Sequence, residues 1–127
     1  MEKDFSRNTY VLHEDEKKGA VVVSDEVICI IAGLAATEVK GVAAMAGNIT
    51  NELMSKVGRK NLAKGVKVSV NGKRVKIALA IMMEYGYNIP TTCSRVQDRV
   101  KSSVENMTGL TVTDVDIRIA SVDMKKK

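Results

Sequence analysis

The sequence has very few residues that perform acid–base or nucleophilic chemistry. Its one histidine, His13, stands in the polar segment HEDE near the start of the chain. Nucleophilic catalysis needs a base beside the nucleophile and a third group that orients the base, and this chain offers little for that arrangement. Neither phosphate-binding pattern, GxxxxGK[ST] or GxGxxG, occurs. The sequence therefore predicts a protein that is not an enzyme and has no catalytic residue, no metal and no cofactor.

Aromatic residues are equally scarce. Tryptophan is absent, and Phe5, Tyr10, Tyr85 and Tyr87 are the complete aromatic set. The chain therefore has few platforms on which nucleic-acid bases stack. The segment VGRKN, residues 57–61, also lacks the second glycine of the GXXG loop found in KH modules. Both observations make nucleic acid an unfavourable partner.

Long apolar runs and paired cysteines are also missing. No apolar run approaches the roughly 20 residues that a membrane-spanning helix needs, and MEKDFSRNTY lacks the apolar segment of a secretory signal. Cys29 and Cys93 form no CxxC motif, so we expect two free thiols in apolar surroundings. The expected location is the cytoplasm, with the inner face of the cell membrane as the place of any peripheral association.

The stretch from Gly19 to Val42 predicts a short buried strand followed by a capped helix. Ser24 is a typical N-cap residue, and the two acidic residues after it favour the positive end of a helix dipole. Gly41 is a typical C-terminal stop. The apolar residues that recur at three- and four-residue steps predict one buried face: Val27, Ile30, Ile31, Leu34, Ala35 and Val39.

Alternating valines on both sides of Asn71-Gly72 predict a β-hairpin. Asn-Gly is a preferred two-residue turn because both central residues need positive φ. This turn predicts a register in which Val68 faces Val75 and Val66 faces Ile77.

The remaining segments complete the predicted order of elements. Residues 50–57 predict one or two helical turns, and Tyr10 to Leu12 allow a short extra strand. Thr91 or Thr92 is expected to cap a second helix that ends at Gly109. Its predicted inward stripe is Cys93, Val96, Val100, Ser103 or Val104, and Met107, and a last strand has Val115, Ile117 and Ile119 inward.

The order βαββαβ predicts an α+β fold, a two-layer sandwich with a mostly antiparallel sheet and helices on one face. A ferredoxin-like arrangement and a KH-type module both fit this order, which leaves strand adjacency open. The expected organisation is a polar N-terminal segment at 1–18, one α/β domain at 19–122 and a basic tail at 123–127.

Positive charge is concentrated in the middle of the chain and on the second helix. The net charge is +5, and no acidic residue occurs between Lys56 and Lys76. A solvated face is one interpretation; the other is a surface for an anionic partner, either an acidic protein, an anionic membrane or nucleic acid. The candidate residues are Lys56, Arg59, Lys60, Lys64, Lys67, Lys73, Arg74, Lys76, Arg95 and Arg99.

Three segments together resemble the alkaline shock protein family of bacterial envelope-stress proteins. They are SDEVICIIAGLAATEVKGVAAMAG, AKGVKVSVNGKRVKIALAIMMEYGYNIP and RVQDRVKSSVENMTGLTVTDVDIRI. The resemblance covers roughly residues 19 to 121, and the whole pattern carries it because no single motif in it is catalytic.

The resemblance implies a non-enzymatic scaffold of cell-envelope stress homeostasis that self-associates and is held at the membrane by a partner. The expected partners are a membrane-anchored protein or a lipid-metabolism enzyme, and a second copy of the chain. Two alternatives stay open: a regulatory partner of fatty-acid and lipid metabolism, and a small nucleic-acid-binding module.

Overall fold

The computed structural model describes residues 9–46 and 65–124. In this part of the chain, two helices and six strands form an α+β fold, so the predicted fold class is confirmed. The elements in chain order are β1 (Thr9–Asp15), β2 (Gly19–Ser24), α1 (Asp25–Thr37), β3 (Val42–Met45), β4 (Val66–Asn71), β5 (Arg74–Glu84), α2 (Ile89–Thr108) and β6 (Thr111–Asp123).

Strand β5 is the centre of a four-stranded sheet. Both β3 and β4 pair antiparallel with β5, on successive parts of the same edge. Ala80 joins the two ladders, since its carbonyl accepts from Ala46 N at 2.8 Å and its N–H donates to Gly65 O at 2.9 Å. Strand β6 runs parallel to β5 on the other edge. The sheet is therefore three strands wide, with β3 and β4 sharing one edge.

Strands β1 and β2 form a separate antiparallel ribbon. The strand predicted over Val21–Val23 is present, and its partner is the strand that the sequence allowed at Tyr10 to Leu12. The sequence predicted this strand to be buried, but Val21 and Val22 are exposed because the ribbon lies outside the main sheet and only Val23 reaches the core. Val23 is buried in the core, and Tyr10 and Leu12 pack against it. The ribbon therefore belongs to the packed domain although it lies outside the main sheet.

Helix α1 begins as predicted but buries a different face. Val27 N donates to the Ser24 hydroxyl at 3.4 Å, as an N-cap requires. Val27 and Leu34, predicted to be buried, are exposed. Nearly every residue from Val27 to Ala36 is apolar, so spacing alone did not select the correct face. The residues that are buried are Ile28, Ile31, Ala32, Gly33, Ala35 and Ala36.

The sequence predicted that Gly41 ends α1, and this prediction is wrong. The helix ends at Thr37, and Gly41 stands in the turn before β3 with a φ of +102°. A Cβ at this position would lie 2.9 Å from Cδ2 of Tyr87. Positive φ and close contact with a ring both favour glycine here.

The β4–β5 hairpin is confirmed, but its predicted register is wrong by two residues. Val68 pairs with Ile77 and Val66 with Leu79. Asn71 belongs to the ladder opposite Arg74, so the turn residues are Gly72 and Lys73, with Gly72 at φ +65°. Glycine at the first central position suits a two-residue hairpin turn. A shift of two residues preserves the faces, so the valines still point inward.

Helix α2 begins at Ile89, earlier than predicted. Its N-cap is Asn88, whose Oδ1 accepts from Thr91 N at 2.9 Å, and Pro90 lies in the first turn. The predicted inward residue Met107 is instead exposed. Gly109 is the C-cap with a φ of +79°, as predicted.

Two further predictions concern the segment between the helices. Strand β3 occupies residues that the sequence had not assigned to a strand. The helical turns predicted at residues 50–57 lie outside the described residues.

The two helices cover one face of the sheet and enclose the core. The inward residues of β5 alternate along the strand and are almost completely buried: Val75, Ile77, Leu79, Ile81 and Met83. A stripe of α2 at steps of four packs against the same core, namely Thr92, Val96, Val100, Val104 and Thr108. The outer face of the sheet carries the alternate residues of each strand.

Candidate functional site

Neither cysteine has the properties of a reactive thiol. Both are free and partly buried. Burial raises the pKa of the Cys29 thiol to about 11, and its Sγ donates to Val66 O at 3.7 Å. Burial also raises the pKa of the Cys93 thiol. Because the thiolate is the nucleophile, the raised pKa lowers the reactivity of both thiols.

The described residues contain no cluster of three or more histidine, cysteine or acidic side chains that would hold a metal ion.

The most conspicuous surface feature is an apolar groove between the two helices. Its walls are Val27 and Leu34 of α1, exposed by 44% and 47%, and Met107 of α2, exposed by 69%. Its floor contains Ile31 and Ala35, and its volume is about 480 Å³. We call this feature the helix groove. It collects in one place large apolar side chains that a domain of this size usually buries.

An ion pair closes one end of the helix groove. Arg99 Nη2 lies 2.7 Å from Glu38 Oε1, and Arg99 Nε donates to the same oxygen at 3.2 Å. Both side chains are about half exposed, so the pair contributes little to stability. It does neutralise Glu38, the acidic residue that lines the helix groove.

The structure separates the cationic residues that the sequence had grouped. Lys67 and Lys76 are exposed on the strands of the outer sheet face, and Arg74 is exposed beside the β4–β5 turn. Lys73 Nζ donates to Leu12 O of the ribbon at 3.1 Å. Arg99 is paired with Glu38, whereas Arg95 is exposed one turn earlier on α2. The predicted members Lys56, Arg59, Lys60 and Lys64 lie outside the described residues.

The outer sheet face has a shallow groove of its own, with a volume of about 380 Å³. Its floor is Ala78 and Ala80 of β5. Lys67 of β4 flanks one side, and Asp116 and Arg118 of β6 flank the other. Charges of both signs therefore alternate across this face, which gives it no uniform potential.

Sequence reasoning missed the helix groove although a signal for it was present. From Val27 to Ala36 the chain has more apolar residues than one helix face can bury against a sheet. The surplus indicates a second apolar surface. Met107 gave no such signal, since its spacing placed it in the predicted inward stripe of α2 and only the structure shows that it is exposed.

These features define a small α+β domain whose described surface has an open apolar groove and no cluster of metal-ligating groups. The chain belongs to the alkaline shock protein 23 family, which has a cell envelope-related function and matches residues 13–124. The family resemblance stated from the sequence is therefore confirmed.

The chain is similar to several bacterial proteins. It is 36% identical over 115 residues to the uncharacterized protein YqhY of Bacillus subtilis, covering 91% of this chain and 85% of that protein. It is 33% identical over 108 residues to the uncharacterized protein YloU of the same species, covering 84% and 90%. A stress response regulator gls24 homolog of Streptococcus pyogenes is 29% identical over 128 residues, covering 100% of this chain and 72% of that protein.

No solved structure matches the chain. Within the described residues, neither helix combines the length and the apolar character needed to traverse a bilayer.

Proposed function

We propose that this protein is a non-enzymatic scaffold of cell-envelope stress homeostasis, which self-associates and is recruited to the membrane by a protein partner. The observation that carries the proposal is the helix groove, an open apolar surface at the junction of two helices. Clustered, exposed apolar residues mark contact sites. The family supports the connection to the envelope, and the name of the Streptococcus relative supports the connection to stress.

The occupant of the helix groove that fits best is the apolar face of a helix from a membrane-anchored partner. From Val27 to Glu38 the groove follows α1 for about 16 Å, at 1.5 Å per residue. A partner helix presents side chains at i, i+3, i+4 and i+7 over such a length. The lining is apolar apart from Ser103 and Glu38, and Glu38 is already paired with Arg99. An apolar helix therefore fits better than an acidic tail.

A pair of matched substitutions tests this recruitment. Leu34→Lys places a charge in the helix groove, and Val22→Lys places the same charge on the ribbon at an equally exposed position, since both residues are 47% exposed. We expect Leu34→Lys to reduce the membrane-bound fraction in host cells about tenfold or more, because it removes an apolar contact worth roughly 1.5–3 kcal/mol. Val22→Lys should leave that fraction unchanged.

Membrane association that survives Leu34→Lys would contradict recruitment through the helix groove. The purified protein should bind vesicles weakly, only when they are anionic, and reversibly with salt. Tight, salt-resistant binding to neutral vesicles would show that no partner is needed. If Leu34→Lys changes lipid composition but not the membrane-bound fraction, the occupant is a lipid-metabolism enzyme instead.

A further inference from the structure

Strand β6 forms a long edge of the main sheet. It runs from Thr111 to Asp123 and pairs with β5, and no other strand within residues 9–46 and 65–124 pairs with it. Natural edge strands are usually short, or interrupted by proline or lysine, because an open edge invites another strand. Thr111 to Asp123 contains neither residue. Apart from two backbone groups that bond to side chains of α2, this edge is therefore open to strand pairing.

The hydrogen bonds of β6 show which backbone groups point away from β5. Thr111 N donates to Lys73 O and Asp123 O accepts from Tyr85 N, so both ends of the strand point toward β5. Val112 N and Val115 O instead bond to the side chains of Glu105 and Gln97 of α2, each at 2.9 Å.

Pairing with β5 is regular from Asp114 to Ile119, between two irregularities of the ladder. Alternate residues of a regular strand share one direction. The backbone groups of Ile117 and Ile119 therefore point outward like those of Val115.

The side chains along this edge form two contrasting rows. Val115, Ile117 and Ile119 lie on the helix side and pack against the core but are only partly buried. Asp114, Asp116 and Arg118 lie on the outer side and are exposed. An apolar row that the helices cover incompletely can be covered further by an identical row beside it.

We propose that a second copy of this chain pairs with this edge, β6 against β6 in antiparallel orientation, with Ile117 opposite its own copy. This inference rests on the self-association in the proposed function and names its surface. In this register Val115 faces Ile119 of the second copy, and Asp116 faces Arg118 of the second copy. Each of these pairs occurs twice, once on either side of the twofold axis. Apolar residues then meet on the helix side and opposite charges meet on the outer side.

Charge selects this register among its neighbours. In any register, the outward-pointing backbone groups of the two copies must face each other. The registers that meet this condition differ by one residue in the position that lies on the twofold axis. A centre at Asp116 places this carboxylate opposite its own copy. A centre at Arg118 places two guanidinium groups opposite each other. The centre at Ile117 avoids both like-charge contacts.

The resulting dimer has a twofold axis perpendicular to the sheet, the closed arrangement that most homo-oligomers use. It joins two four-stranded sheets into one, with both pairs of helices on the same side. The dimer requires that the Gln97 amide release Val115 O. Val115 O then accepts a hydrogen bond from a backbone N–H of the second copy instead. Gln97 is exposed, so water satisfies its freed amide.

Charge exchange tests the register in the full-length protein. Asp116→Arg and Arg118→Asp, made separately, should each raise the dimer dissociation constant about tenfold, because two attractive pairs become repulsive. The double variant Asp116→Arg with Arg118→Asp should restore the affinity, since each pair is formed again with its signs exchanged. Asp114→Arg is the control, because Asp114 faces Ala120 in this register. Sedimentation velocity measures all four proteins against the unchanged chain.

A backbone variant supplies an independent test. Ile117→Pro removes an N–H that points outward, which an edge strand tolerates, and it should abolish the dimer while circular dichroism remains that of the unchanged chain. Sensitivity to Asp114→Arg with indifference to Asp116→Arg would overturn the register. Dimers that persist in every β6 variant would show that the copies associate through a surface other than the β6 edge, while self-association itself would stand. A chain that stays monomeric would overturn both, whereas recruitment through the helix groove would be judged by Leu34→Lys alone.

Discussion

Two side chains hold the ribbon of β1 and β2 against the rest of the domain. The Asp25 carboxylate at the start of α1 lies beside the phenol of Tyr10 and raises the pKa of that phenol. Lys73, in the turn between β4 and β5, donates to Leu12 O at 3.1 Å. Each contact joins residues that are distant in sequence, so neither is visible in local patterns. Lys73, which the sequence predicted as part of a surface for an anionic partner, therefore also makes a contact within the domain.

Alkaline pH should weaken the Tyr10 contact. The Asp25 carboxylate, together with burial, raises the pKa of Tyr10 from 10.0 to about 12. A raised folded-state pKa means that the contact stabilises fully below pH 10, and that this contribution is lost as the pH rises toward about 12. Urea unfolding of the unchanged protein and of Tyr10→Phe should therefore differ below pH 10, and the difference in free energy of unfolding should shrink above it.

The comparison with Tyr10→Phe isolates this effect from that of Cys29. Burial raises the pKa of Cys29 from 9.0 to about 11, so its contribution is lost in the same direction, between those values. Both proteins contain Cys29, so its own loss of stabilisation is common to them, and only its charge, the smallest of the causes that raise the pKa of Tyr10, remains in the difference. A difference that grows with pH would contradict the assigned contact.

At the scale of elements, α1 has two apolar faces in different surroundings. Ile28, Ala32 and Ala36 face the core, whereas Val27 and Leu34 line the helix groove. All three of these core-facing side chains are completely buried. The larger residues on the other face find no cover among the described residues. One helix therefore supplies both a part of the core and an exposed apolar surface.

Two truncations on α1 should distinguish the buried face from the exposed face. Ile28→Ala should lower the free energy of unfolding by about 2–5 kcal/mol, because Ile28 is completely buried and the change leaves a cavity. Leu34→Ala should cost less than about 1 kcal/mol, because Leu34 is nearly half exposed and solvent occupies the space. Thermal and urea unfolding measure both values. A larger loss of unfolding free energy in Leu34→Ala than in Ile28→Ala would contradict this assignment and favour the buried face that spacing alone had predicted.

At the scale of the whole molecule, the positive charge is dispersed over several surfaces. The net charge is +5. The exposed cations Lys67, Lys76 and Arg118 share the outer sheet face with Asp114 and Asp116, whereas Arg99 is paired on the helix layer. The described surfaces lack the uniform basic stripe with stacking aromatics that nucleic-acid modules use. Any binding of nucleic acid should therefore be electrostatic.

Salt should abolish any affinity of this protein for nucleic acid. Binding through phosphate contacts weakens steeply with ionic strength, and each lysine removed from the contact should reduce the salt slope by about 1. We expect Lys67→Ser with Lys76→Ser to flatten the slope measured by fluorescence anisotropy without changing the preference among sequences. Exchange of Ser69 for alanine on the same face is the uncharged control. Sequence-selective binding at physiological salt that survives the double change would favour the nucleic-acid alternative.

The sequence by itself determined the local features of this protein. Ser24 and Gly109 cap their helices as predicted, because capping depends on residues a few positions apart. Alternation placed the valines of β4 and the isoleucines of β5 on the inner face, because period two depends only on neighbours. The fold class followed from the order of these elements. The family followed from the resemblance of the whole pattern.

Only the tertiary structure decided how these elements meet. The hairpin register depends on whether Asn71 joins the turn or the ladder, and both choices keep the same faces inward. The buried face of α1 depends on where the sheet and α2 lie, because almost all of its side chains are apolar. The helix groove and the open edge of β6 depend on the same positions. Long-range packing selects among local solutions of nearly equal energy, and the exposed groove and the open strand edge of this protein arise from that selection.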